Sequence, residues 1–437
     1  MSSQWRLPGI IIISLLAALG AVACSSAASE PVVTSVSTVA PQTSAGAAPT
    51  LANLDTSTPE PPVTPTSVPT PEPTEVPVFA LAARSDDDKL APEFKDISSW
   101  INSEPFTIES QRGKVVLIDF WTYTCINCIR TFPFLREWHE KYADSGLVIV
   151  GVHTPEFDFE KIRDNVIDAM QKYGIEYPVA QDNDFGTWRN FNNRFWPAKY
   201  IIDKDGYIRY THFGEGSYAE TEQVIRDLLE EAGSDLSEIS DMTNPEPGID
   251  SNAYTNEPAE RLTRELYAGY SRNYSALQSQ TTAPYILHPE YYEATDAIVL
   301  YNDPGDHQNQ FLYLQGLWRN EEERLVHARQ TDDFEDYLAL KFFATSVNAV
   351  MAPETIGESF IVRLTIDDKP LTPEQAGFDV MFRENGDSYV LVGGSRLYNL
   401  INLPLLSGNE LKLSSNSDEF VLFAFTFGAY AGGEPSS

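Results

Sequence analysis

Two cysteines, Cys125 and Cys128, follow an apolar run and a three-residue turn, and this junction constrains the 437-residue chain more than any other feature. In residues 114–121, Val115, Val116, Leu117, Ile118, Phe120 and Trp121 surround a lone Asp119, the pattern of a buried strand. Thr122, Tyr123 and Thr124 make the turn, and a helix is predicted from Cys125 towards Tyr142. The first turn of a helix leaves N–H groups unpaired and carries the positive end of the macrodipole, so a thiol held there is stabilised as thiolate. Cys125, at the helix start, is the expected nucleophile. Cys128, one turn on and on the same face, is the expected resolving thiol. The competing readings are a structural disulfide and half of a zinc site. A closed zinc site needs two further ligands, and the six histidines offer no second tight pair. A copper-delivery module would space its cysteines one residue wider. No metal and no cofactor are expected.

Length bounds the organisation to two domains plus tails. The balance of 30 Lys+Arg against 64 Asp+Glu gives a net charge of −34, which disfavours nucleic acid and simple attraction to anionic lipid. With three cysteines, a disulfide-stapled scaffold is excluded.

The third cysteine, Cys24, has a different setting. Arg6 precedes an apolar run over residues 10–23, too short for a comfortable membrane span, and Ala21, Val22 and Ala23 put small residues before Cys24. Residues 1–23 therefore read as a secretory signal. The layout resembles a bacterial lipoprotein signal, with Ala21 where leucine is usual, and implies lipidation at Cys24. Plain cleavage after Ala23 and an uncleaved anchor are the alternatives. Residues 24–90 are rich in Ser, Thr, Ala and Pro without helical or strand periodicity, and read as a disordered, semi-extended spacer rather than a Pro-rich recognition ligand.

Residues 91–233 are predicted to form an α/β domain. A second buried strand spans residues 147–152, helical spacing covers 159–173, a hairpin turns at Lys204, Asp205 and Gly206, and a helix covers 221–229. Strand–helix–strand–helix–hairpin–helix is the order of the thioredoxin fold. The chain also resembles thioredoxins in Trp121, in Asp119 six residues before Cys125, in Pro133 five after Cys128, in Pro197 ahead of the next strand, and in Gly214. Residues 121–128, 151–157, Asp182-Asn183-Asp184 and 212–216 are similar to the extracytoplasmic part of DipZ-type proteins, within the TlpA-like thioredoxins, over about residues 94–232. The resemblance implies that Asp119 is a buried carboxylate helping to move the proton of the resolving thiol. It implies that Pro197 is cis and faces the cysteines, with Trp196 beside the substrate. His153, Glu156 and Glu215 are expected on loops near the sulfurs, Glu215 as a substrate contact.

Residues 234–257 read as an acidic linker, and a helix is predicted over 259–270. Beyond it the period changes to two. Phe360, Val362, Leu364 and Ile366 share one strand face, with further short strands at 337–343, 378–382, 389–392, 410–413 and 420–427. Residues 258–430 are thus predicted to be an all-β sandwich, jelly-roll-like. This region is similar to the C-terminal, carbohydrate-binding-module-like part of DipZ-type proteins, which implies a possible sugar ligand stacking on Trp318, Tyr389 or Tyr398.

The function expected is an extracytoplasmic, membrane-tethered protein-disulfide oxidoreductase, reducing exported proteins through Cys125 and Cys128. The competing class is a surface lipoprotein that binds carbohydrate or protein and keeps a structural cysteine pair. DipZ-type proteins usually carry a membrane electron-transfer domain on the same chain. None is read here, so a separate DsbD- or CcdA-like membrane thiol carrier is the expected redox partner, docking near Cys125, Trp196 and Glu215.

Overall fold

The structure, a computed structural model, describes residues 81–85, 87–244, 247–254, 261–279 and 282–431. The predicted signal, Cys24 and the spacer up to residue 80 lie outside the described residues. In the first domain the elements run β1 (Ser99–Ile101), β2 (Val115–Trp121), α1 (Ile126–Tyr142), β3 (Leu147–His153), α2 (Arg163–Tyr173), β4 (Val179–Gln181), α3 (Gly186–Asn190), β5 (Ala198–Ile202), β6 (Ile208–Phe213) and α4 (Tyr218–Glu231). The sheet order is β1-β4-β3-β2-β5-β6, with β2, β3 and β4 parallel and the other pairings antiparallel. This is the thioredoxin order, with β1, β4 and α3 added to what the periodicity predicted.

Helices cover both faces of the sheet, so β2 is buried at all seven positions. Its side chains alternate. Val115, Leu117 and Trp121 pack with Phe132, Leu135 and Trp138 of α1, while Val116, Ile118 and Phe120 pack with Phe191, Tyr200 and Ile202 on the opposite face. Period-two geometry therefore turns Asp119 towards α1. In β5, Ile201 lies on the α1 side and Ala198, Tyr200 and Ile202 on the other, so Lys199 also turns towards α1. After α4, residues 234–244 are pinned to the domain. Leu236 is buried, Met242 N–H donates to Glu222 Oε2 at 2.7 Å, and Thr243 and Asn244 donate to the Glu137 carboxylate.

The second domain contains β7 (Leu266–Tyr267), α5 (Tyr270–Gln278), β8 (Ile298–Tyr301), β9 (Leu312–Asn320), β10 (Leu325–His327), β11 (Asp336–Pro353), β12 (Phe360–Ile366), β13 (Lys369–Pro370), β14 (Met381–Phe382), β15 (Ser388–Val392), β16 (Arg396–Ser415) and β17 (Phe420–Gly428). All pairings are antiparallel, in one eleven-stranded sheet ordered β14-β15-β12-β16-β11-β17-β10-β9-β8, with β13 on β12 and β7 on β17. The long β11 pairs with β17 through its second half and with β9 at residues 337–340, which folds the sheet around its apolar core. The all-β expectation holds, but the strands form one continuous folded sheet. Residues 261–269 are not helical as predicted. Leu266 and Tyr267 pair with Phe425 and Ala424, and the helix begins only at Tyr270.

The two domains share a core. Val421 and Phe423 of β17 join the cluster containing Trp121, Phe132 and Phe157, while Leu422 and Phe425 stay within the second domain. The Phe423 ring lies 5.1 Å from that of Phe157 and 4.8 Å from that of Phe159. Burying one such side chain stabilises by about 1.5–3 kcal/mol.

Candidate active site

Cys125 is the N-cap of α1, half-buried, with extended backbone angles (φ −76°, ψ 112°). The Cys128 N–H donates to Cys125 Sγ at 3.3 Å, so one of the orphan amides at the helix start is aimed at the sulfur. Cys128 is fully buried. Burial, followed by its hydrogen bond with Cys125, pushes its thiol well above the ordinary value. One thiol is thus reachable and served by the helix terminus, and the other needs a proton acceptor before it can react.

Asp119 lies fully buried on the α1 face of β2, and burial raises its carboxyl to about 7 against the lowering charge of Lys199. Lys199 is its register partner on β5 and is also fully buried. Burial lowers the Lys199 ammonium, opposed by the charges of Asp119, Cys128, Glu215 and Cys125. Among the described residues, neither Asp119 oxygen nor Lys199 Nζ has a hydrogen-bond partner. Lys199 was not singled out from the sequence. The available signal was a lysine inside an otherwise apolar strand.

The Trp196–Pro197 bond is cis, and the Gly214 N–H donates to the Pro197 carbonyl at 2.8 Å, tying this turn to the end of β6. Trp196 Nε1 donates to the Thr154 carbonyl at 3.1 Å, and its ring packs 4.3 Å from that of Trp188. Phe195 and Phe213, each about half exposed (51% and 50%), pair at 5.3 Å and present an apolar edge beside Pro197.

Two of the acidic residues expected near the sulfurs, Glu215 and Glu156, bond to the second domain. Glu215 takes a hydrogen bond from Tyr430 of the second domain and pairs with Arg130 of α1 at 3.3 Å. The same Arg130 nitrogen donates to Asn127 Oδ1 between the two cysteines, at 3.0 Å. Glu215 therefore links α1 to the second domain. Glu156 accepts from Tyr267 (2.9 Å) and Arg272 (2.8 Å), both of the second domain. Burial raises its carboxyl to about 7. The neighbouring Glu160 is buried and accepts from Thr124, the residue before Cys125. His153 is the last residue of β3, not a loop residue. It is buried against Trp121 and Tyr123, and burial lowers its imidazole to about 3.

Trp318 and Tyr398 are buried in the second domain's core and cannot stack on a sugar. Among the described residues no group of three or more His, Cys, Asp or Glu is placed to hold a metal ion, and no helix is long and apolar enough to cross a membrane.

Residues 86–229 match the Redoxin family, and residues 263–428 match the family described as Thioredoxin like C-terminal domain. A stretch of 196 residues, 44% of this chain, is 44% identical to Protein DipZ of Mycobacterium bovis and to that of Mycobacterium tuberculosis. The match spans 27% of the length of those relatives. The thiol-disulfide oxidoreductase YkuV of Bacillus subtilis is 28% identical over 140 residues, 32% of this chain and 94% of that protein. A thioredoxin-like protein solved in its oxidised form is 28% identical, covers 33% of this chain and 97% of its own, and has a TM-score of 0.31. The chain thus joins a segment that matches the Redoxin family to one that matches the Thioredoxin like C-terminal domain, and its thioredoxin-like part is similar to DipZ and to thiol-disulfide oxidoreductases.

Proposed function

We propose that the chain is an extracytoplasmic protein-disulfide reductase working through Cys125 and Cys128. The observation that carries this reading is the division of labour between the two sulfurs. Cys125 caps α1 with the Cys128 amide aimed at it, and Cys128 is buried on the side of the sheet to which Asp119 turns.

The Cys125 thiolate attacks one sulfur of a substrate disulfide, forming a mixed disulfide and releasing the other substrate sulfur as a thiolate that takes up a proton. Cys128 then loses its proton, with Asp119 as acceptor, and attacks Cys125 Sγ. The Cys125–Cys128 bond forms, the second substrate sulfur leaves, and two electrons have passed to the substrate. Trp196, Pro197, Phe195 and Phe213 form the edge along which an extended polypeptide would lie. Each turnover leaves the cysteine pair oxidised. A reductant is therefore required, and a DsbD- or CcdA-like membrane thiol carrier is the class proposed. Lipidation at Cys24 and the spacer behind it would hold the site near that carrier and raise its effective concentration there.

The test is alkylation of Cys125 in the reduced and oxidised chain, combined with equilibration against a glutathione series. A Cys125 thiol that is alkylated in the reduced chain and protected in the oxidised one, with a measurable potential for the pair, supports the reductase. An inert disulfide would leave the binding-module reading in its place.

A further inference from the structure

We infer that the second domain sets the redox poise of the cysteine pair, with Tyr430 and Tyr267 as positioning residues that hold the chain on either side of Cys125 in its dithiol form. The inference deepens the proposed reaction and rests on it.

Two hydrogen-bonded routes lead from the second domain to the cysteines. The first reaches Asn127, which lies between them. The Tyr430 hydroxyl donates to Glu215, Glu215 pairs with Arg130 at 3.3 Å, and the same Arg130 nitrogen donates to Asn127 Oδ1 at 3.0 Å. The second route reaches Thr124, the residue before Cys125. Tyr267 and Arg272 donate to one oxygen of Glu156, at 2.9 and 2.8 Å. The N–H groups of Glu156 and Phe157 donate to Glu160 Oε2, and Glu160 Oε1 takes the Thr124 hydroxyl. Arg130, Glu160 and Thr124 are all buried, so a broken link leaves a polar group unmet rather than handed to water. Cys125 therefore sits between two residues, Thr124 and Asn127, that are each anchored through the second domain.

Both thiols are free in this arrangement, and the Cys128 N–H rests on Cys125 Sγ at 3.3 Å. Closing the bond brings the two sulfurs to about 2.0 Å, so the short segment carrying Cys125 has to give. The anchors on Thr124 and Asn127 are made in the dithiol form, and whatever part of them closure loosens stabilises the dithiol over the disulfide. A contact shifts a two-state equilibrium only by the difference it makes between the states, and that coupling is reciprocal. The seam favours the reduced pair, and oxidation of the pair loosens the seam by the same free energy. Neither tyrosine touches a sulfur or transfers a proton; each acts through the residues it holds.

The decisive measurement equilibrates the full chain with glutathione, as wild type, Tyr430→Phe and Tyr267→Phe. In each exchange the pair gives two electrons and two protons to one oxidised glutathione, which leaves as two reduced molecules. Either phenylalanine should move the equilibrium towards the Cys125–Cys128 disulfide by about five-fold or more, making the pair a stronger reductant. Gly316→Ala burdens the second domain at a position on neither route and should leave the equilibrium unmoved. A constant equal to that of wild type, or a shift towards the dithiol, in either tyrosine variant overturns the inference alone. So does a Gly316→Ala shift as large as theirs, which would reduce the effect to lost stability. A wild-type pair that does not equilibrate with glutathione overturns the reductase reading and the inference with it. If the tyrosine variants do not fold, amide exchange in the wild type decides. The Asp250 and Ala431 amides, bonded to the Ala429 and Gly248 carbonyls beside Tyr430, should exchange faster in the oxidised chain than in the reduced one. Equal protection in the two forms overturns the inference.

Discussion

The guanidinium carbon of Arg130, two residues past Cys128 on α1, lies 4.5 Å from the ring centre of Tyr430, just beyond β17 of the second domain. The Tyr430 hydroxyl and the Arg130 guanidinium converge on the Glu215 carboxylate. The helix that presents the cysteines is thus braced from outside its own domain. Removing the hydroxyl in Tyr430→Phe leaves the ring over Arg130 but takes one donor from a largely buried carboxylate. A loss of about 1–3 kcal/mol is expected in urea unfolding of the full chain. An unchanged midpoint would mean that this tie contributes nothing.

Cys125→Ser should abolish disulfide exchange. Cys128→Ser should accumulate a mixed disulfide with substrate, because attack comes first and resolution second. Non-reducing electrophoresis after mixing with an oxidised substrate reads both outcomes. Trapping by the Cys125 variant instead would reverse the roles.

The interface should respond to pH. The one hydroxyl hydrogen of Tyr267 lies between Glu156 (2.9 Å) and Glu265 (3.0 Å), so it satisfies one carboxylate at a time. Burial raises Glu156 from 4.5 to about 7. A raised folded-state value means that the folded chain holds the proton where the unfolded chain has released it. The contribution is therefore complete below about 4.5 and lost as pH rises through about 7. Asp119, raised from 3.8 to about 7, has the same sign. Urea midpoints should be higher at pH 5 than at pH 8, and Glu156→Gln should flatten that slope. A wild-type midpoint that rises towards pH 8 would contradict this.

Gly316 on β9 has φ +100°, and a Cβ there would fall 2.0 Å from Asp336 Cγ. That carboxylate accepts from Arg329 at 2.6 Å and pairs with His327 at 2.8 Å. Gly316→Ala combines a strained backbone with displacement of this buried acceptor. It should cost about 2 kcal/mol or more, visible as a lowered melting temperature.

The redox site was legible in sequence because its parts are local. Cys125, Cys128 and Asp119 belong to one strand–turn–helix segment, and Trp196 with Pro197 precedes the strand paired to it. Lys199 was missed because a lysine in an apolar run reads as an edge residue until the sheet order makes β5 central. The second-domain partners of Glu156 and Glu215 were not legible because Tyr267 and Tyr430 lie 111 and 215 residues away. In the second domain, the register shifts of β11 near Ala344 and Val347 interrupt alternation, so an 18-residue strand read as a short one.

Phe423 sits against Phe157 and Phe159, and the consequence reaches anyone who handles the protein in pieces. A thioredoxin-like fragment cut free near residue 244 would carry a sticky aromatic scar where β17 had been. It would tend to self-associate, and its redox behaviour would describe a wounded object. Phe423→Ala, expected to cost about 3–5 kcal/mol, should loosen both halves together in one hydrogen-exchange transition rather than free one from the other. The seam in the sequence should therefore leave no seam in the unfolding transition.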